Sequence, residues 1–125
     1  MELNRVVVTG MGCLTPLGND VSAYFDALKK GVSGAGAITR FDASKFKTQF
    51  ACELKGWDAA EHFDRKEQRK LDPYAQYGIV AARQAVAHSG LAEAEPAPDR
   101  VGVIFGSGIG GILTFQQEIQ NFVEG

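Results

Sequence analysis

Lys66, Arg69 and Lys70 stand at positions i, i+3 and i+4, so a helical turn across them gathers three cations on one face, with Arg65 beside them. Such a face suits an acidic partner; its bland counterpart is a solvated, charged helix surface. A second feature is the run Val101 to Gly111, in which an apolar segment breaks into the glycines Gly106, Gly108, Gly110 and Gly111. As letters it spells GxGxxG, the phosphate cradle that opens a helix in dinucleotide-binding units. Cys13 and Cys52, with His62 and His88, are the thiol and imidazole side chains of the sequence, the other candidates for nucleophilic or metal-ligating chemistry.

The dinucleotide reading can be tested within the sequence. Strand, glycines and helix follow in the required order from Val101 to Val123, but the fingerprint also needs a second strand ending in an acidic residue about 20 positions on. Glu118 and Glu124 lie within or at the end of the helix instead. Gly10-Met11-Gly12 also follows a strand-like run and fails sooner, because Thr15 stands where the third glycine belongs. The cysteines have neither CxxC spacing nor a histidine at ligand spacing, which argues against zinc and against a disulfide scaffold. Cys52 is expected on the apolar face of a strand, and Cys13 in a loop without a basic partner nearby in sequence, so both read as buried small hydrophobes. His88, near a helix end, is expected to complement the dipole there.

Several elements must position these residues. Arg5 to Thr9 is β-branched and stops at Gly10, as a buried strand does. Asn19 or Asp20 caps a helix with the face Val21, Tyr24, Phe25 and Leu28, ended by Gly31. Val32 to Lys47 reads as a loop pinned by single apolar residues, and Phe50, Cys52 and Leu54 alternate as a half-buried strand. Asp72-Pro73 starts a helix that runs to His88 and stops at Gly90; it is apolar almost all round and rich in small residues, hence central. Val101 to Phe105 reads as a strand buried on both faces, and Ile112, Phe115, Ile119 and Phe122 mark one stripe of a last helix. Strands alternating with helices predict an α/β fold with parallel pairing. Three strands make a thin sheet, so the chain reads as the front of a larger fold.

With 125 residues, 45% hydrophobic and 22% charged, the composition is that of an ordinary globular domain or part of one. A net charge of -2 provides no global field favouring nucleic acid or an anionic membrane. The opening Met1 to Val8 holds only a three-residue apolar run, and no segment approaches a membrane span in length. A soluble protein of the reducing cytoplasm is expected.

Three motifs together resemble a known family. Val6-Val7-Val8-Thr9-Gly10-Met11-Gly12 with Thr15-Pro16-Leu17-Gly18, the run Arg65 to Asp72, and Gly106 to Gly111 are similar to the bacterial β-ketoacyl-[acyl-carrier-protein] synthases, in the right order along essentially the whole chain. The isoleucine at 109 favours the type II members over type I.

The resemblance implies a thiolase-like layered α/β/α/β/α fold of two similar halves, paired as a homodimer, with residues 1–125 the start of the first half. It implies decarboxylative Claisen condensation of an acyl-enzyme with a malonyl group on acyl carrier protein, in fatty acid elongation, with no cofactor beyond the carrier's phosphopantetheine. The family's nucleophilic cysteine and two histidines fall beyond Gly125, so no catalytic residue is carried over and the chain alone is expected to be inactive. What carries over is Lys66, Arg69 and Lys70 as the docking face for acyl carrier protein, and Ile109 as the gate of the acyl pocket. Two other readings remain at this stage: the opening of a dinucleotide-binding domain, and a non-catalytic module that docks an acidic partner.

Overall fold

The computed structural model describes residues 4–125, so Met1 to Leu3 of the opening run lie outside the described residues. Among the described residues, four α-helices, two short 3-10 turns at Ala59–Glu61 and Pro98–Arg100, and one small antiparallel strand pair make up the regular structure. Helix α1, Val21–Lys29, begins where the Asp20 carboxylate accepts the Ala23 amide at 2.8 Å. It ends in a paired set of turn bonds, Gly31 N–H to Leu28 and Val32 N–H to Ala27, with Gly31 left-handed at φ 65.

Strand β1, Gly36–Ala37, pairs antiparallel with β2, Phe50–Ala51, in the register Gly36 to Ala51 and Ala37 to Phe50. The expected half-buried strand through Leu54 is thus two residues long, and Cys52 is exposed rather than buried. The reason is local: pairing needs a neighbour of equal length, and Thr39 turns instead to the Glu53 carboxylate, donating from both its amide and its hydroxyl.

Helix α2 spans Arg65–Lys70 and α3 spans Pro73–Ser89, one residue past the expected end, stopped by Gly90 at φ 65. α3 is the hub. It contributes buried Gln76, Gly78 and Val80; Phe63 and Ala43 are the other buried apolar residues among those described. Its small residues admit backbone: a Cβ at Gly10 would run into the Ala85 carbonyl oxygen, and one at Gly12 into that of Ala81. Gln84 joins the same loop twice, accepting the Cys13 amide at 2.9 Å and donating to the Asn19 carbonyl at 2.7 Å.

Helix α4, Ile112–Glu124, follows the glycines as expected. The segment before it does not match expectation: residues 101–105 form no strand, and Val103 and Ile104 are 78% and 102% exposed. Likewise the Val6 to Val8 run is exposed and unpaired. Valine-rich composition records what a segment can bury, whereas a strand exists only when a neighbour completes its hydrogen bonds, and the described residues offer these segments none.

Candidate functional site

Helix α2 is short, and its start is fixed by reciprocal bonds. Asp64 accepts the amides of Lys66 and Glu67, both at 2.8 Å, while the Glu67 carboxylate accepts the Asp64 amide at 3.2 Å. This box sets the rotation of the helix. Gln68 turns inward and donates to the Phe63 carbonyl at 2.7 Å, leaving Lys66, Arg69 and Lys70 exposed together. Among the described residues no carboxylate forms an ion pair with any of the three. The predicted cationic face is therefore assembled and uncompensated.

The glycine turn is held by the other end of the same structural unit. Ile109 stands on it 78% exposed, with nothing enclosing its side chain. A Cβ at Gly110 would lie 2.7 Å from the Tyr74 ring, so that glycine lets the turn close onto the first turn of α3. Gly111, left-handed at φ 70, is the N-cap of α4 and has no side chain with which to cap it. The missing cap comes from Asp72. Its Oδ1 accepts the Tyr74 amide at 3.3 Å at the start of α3, and its Oδ2 accepts the Thr114 amide at 3.0 Å and hydroxyl at 2.9 Å at the start of α4. Partial desolvation pushes the Asp72 carboxyl up, but the bonds from Thr114 and Tyr74 together outweigh it and hold the group below its ordinary value. Lys70, Leu71, Asp72, Tyr74, Gly111, Thr114 and Phe115 line a cleft of about 460 Å³ at this junction, so the basic helix and the glycine turn share one cleft.

This geometry answers the phosphate question. An anion at the start of α4 would meet the Asp72 carboxylate, which already occupies the amide a phosphate would need. Gly106, Gly108 and Gly111 face open space. The turn is a packing element at Gly110, not a cradle.

Cys13 is not poised for catalysis. It is half-buried; burial first, and then the Asp20 charge, push its thiol up, opposite to what a nucleophile requires. His88 does not act on the helix dipole as expected: its Nδ1 accepts the Met11 amide at 3.0 Å, which needs an unprotonated nitrogen. His62 stacks on Trp57 at 4.9 Å, and Trp57 meets Tyr77 edge-on at 5.0 Å. Among the described residues no group of three acidic, histidine or cysteine side chains could hold a metal ion.

Sequence reasoning found Asp72 as a cap for α3 and missed its second helix. The available signal was Gly111, a helix start without a capping side chain. It also missed Gln84, whose contacts lie 71 and 65 residues away in sequence.

Comparison with known proteins agrees with these features. The family model described as "Beta-ketoacyl synthase, N-terminal domain" matches residues 3–124. The protein named 3-oxoacyl-[acyl-carrier-protein] synthase 2 from Staphylococcus aureus (strain COL) is 48% identical over 112 residues, covering 90% of this chain and 27% of the relative. Its namesake from Coxiella burnetii (strain RSA 493 / Nine Mile phase I) is 51% identical over 112 residues, with the same coverage. The chain thus spans about a quarter of the length of the curated relatives it matches. A solved beta-ketoacyl synthase from Burkholderia phymatum STM815 superposes with a TM-score of 0.69 at 30% identity, covering 94% of this chain and 30% of that one. The ishigamide ketosynthase/chain length factor gives 0.59 at 32% identity, covering 77% of this chain and 23% of that one. The α/β, thiolase-like architecture of these neighbours is the fold class of this chain. The chain belongs to the beta-ketoacyl synthase family, through that family's N-terminal domain.

Proposed function

We propose that residues 1–125 form the first part of the N-terminal half of a 3-oxoacyl-ACP synthase, and that they supply its carrier-docking face and acyl gate rather than its reacting groups. The observation that carries this reading is the basic face of α2: Lys66, Arg69 and Lys70 stand exposed and, among the described residues, without ion-pair partners, in a chain whose relatives are named for acyl carrier protein. An acidic carrier is drawn to such a face by long-range attraction, which speeds encounter and weakens with salt.

In the proposed reaction the carrier's acyl group passes to a cysteine thiolate, releasing the phosphopantetheine thiol. A malonyl thioester then loses carbon dioxide, and the resulting enolate carbon attacks the acyl thioester and expels the thiolate. The nucleophile and the two histidines of this scheme lie outside residues 1–125, consistent with a raised Cys13 thiol and with both histidines here engaged in packing or in a backbone bond. Ile109, the apolar side chain on the turn, is the proposed gate of the acyl pocket. No cofactor is proposed beyond the carrier's own arm. The enzyme is proposed to be a cytoplasmic homodimer, and the exposed stripe Ile112, Phe115, Ile119 and Phe122 on α4 supports the pairing; among the described residues no helix is long and apolar enough to cross a membrane.

Titrating the chain with holo acyl carrier protein tests the proposal. Reversing the charges of Lys66, Arg69 and Lys70 should weaken binding at least about tenfold and flatten its salt dependence; unchanged affinity overturns the docking role. The chain alone should show no condensation, and acyl transfer onto Cys13 or Cys52 would contradict the assignment. A nicotinamide dinucleotide should give no saturable change in Trp57 fluorescence.

A further inference from the structure

We infer that Asp72 is a positioning residue: by capping α3 and α4 with one carboxylate, it locks the turn that carries Ile109 to the end of the basic helix, so that the two move as one body. The inference rests on the functional reading above for its consequence, but its geometry stands independently.

The bond chain is continuous. Leu71 closes α2, its amide donating to the Glu67 carbonyl at 3.0 Å. Buried Gln76, one turn into α3, donates back to the Leu71 carbonyl at 2.9 Å and reaches the Gln68 carbonyl at 3.5 Å, so α2 cannot swing about the Leu71–Asp72 joint without breaking hydrogen bonds made by a buried side chain. Asp72 then spans to Thr114 with two bonds from a single oxygen, and Tyr74 seats Gly110. Ile109 is therefore one residue from a glycine seated on the Tyr74 ring, and Lys70 is two residues from the carboxylate that holds Thr114.

The chemistry of the joint makes the inference specific. A carboxylate has two acceptor oxygens and no donor, so it can serve both helix starts at once. An asparagine of the same shape has one acceptor oxygen and can serve only one; kept on the Tyr74 amide two residues along its own helix start, it turns its NH2 donors toward Thr114. Because α4 begins at a glycine, it has no cap of its own to fall back on. A carrier protein seated on α2 would then act on the Ile109 turn through a rigid link, without touching it.

Amide-resolved magnetic resonance on the full 125-residue chain tests this. In Asp72→Asn the Thr114 amide should exchange about tenfold faster than in the unaltered chain, while the Tyr24 amide of α1 reports the retained fold. Thr114→Val removes only the hydroxyl bond and leaves the α3 cap intact; it should shift the Gly110 and Ile109 amides without changing Tyr74. Holo acyl carrier protein, added as the probe, should perturb the amides of Lys66 to Lys70 and of Ile109 in the unaltered chain, and in Asp72→Asn only the former. Unchanged Thr114 exchange in Asp72→Asn, or an Ile109 response to carrier that survives it, overturns the inference. Absence of any carrier response at Lys66 to Lys70 overturns the docking reading instead, and the Thr114 exchange still decides the clamp.

Discussion

Gly10 and Gly12 follow a run of valines and Gly106 to Gly111 follow the apolar run Val101 to Phe105, and α3 holds both loops, by opposite ends and by different means. Near its C-terminal end α3 takes the first loop flush against its backbone, with Gln84 and His88 each accepting an amide from it. Near its N-terminal end it holds the second through a carboxylate and one ring, at Asp72 and Tyr74, while Gly106 and Gly108 stand free. The first loop is fixed by backbone closeness backed by two hydrogen bonds, the second by a single ring contact and a carboxylate clasp. That difference suits a turn proposed to carry a gate, since a clasp can be tuned where a backbone contact cannot.

The contrast can be broken at the first loop most severely. Gly12→Val forces a side chain into the Ala81 carbonyl, where only backbone can give way, and should cost about 3 kcal/mol in urea unfolding; a loss below about 1 kcal/mol would show that the loop is not seated on α3. Gln84→Leu leaves the Cys13 amide and the Asn19 carbonyl without their partner and should cost about 2 kcal/mol.

At the second loop the expected effects are smaller. Asp72→Asn should cost about 1 kcal/mol near neutral pH, the size of a helix cap. Because the Asp72 carboxyl is held below its ordinary value near 3.9, its contribution is fully present above that pH and is lost as pH falls through the lowered value. The acid limb of a stability–pH curve should therefore flatten in Asp72→Asn; an unaltered limb would remove the charge from the clasp. Gly108→Ala, whose Cβ meets nothing, should change stability by no more than about 0.5 kcal/mol. A large loss there would mean that the second loop is packed as tightly as the first.

Much of this arrangement is legible in the residues themselves. Asp20 and Asp72 announce α1 and α3, Gly31 and Gly90 end them, and the i, i+3, i+4 spacing of Lys66, Arg69 and Lys70 sets their common face, because capping, left-handed glycine and helical periodicity are all properties of a few adjacent residues. The same local spelling misleads at Val101 to Phe105 and at Phe50 to Leu54, since a strand is completed by residues elsewhere. Cys52 was misplaced for that reason.

The GxGxxG spelling marks the limit most clearly. Its letters promise a close approach of something to the backbone, and the sequence by itself determined that a sharp turn would precede a helix there. Only the tertiary structure decided what approaches: the Tyr74 ring at Gly110 and the Asp72 carboxylate at the start of α4, from a helix that begins more than thirty residues earlier. A glycine removes a side chain without naming what fills the space, and a carboxylate offers two oxygens without naming its second partner; both are settled only when distant segments meet.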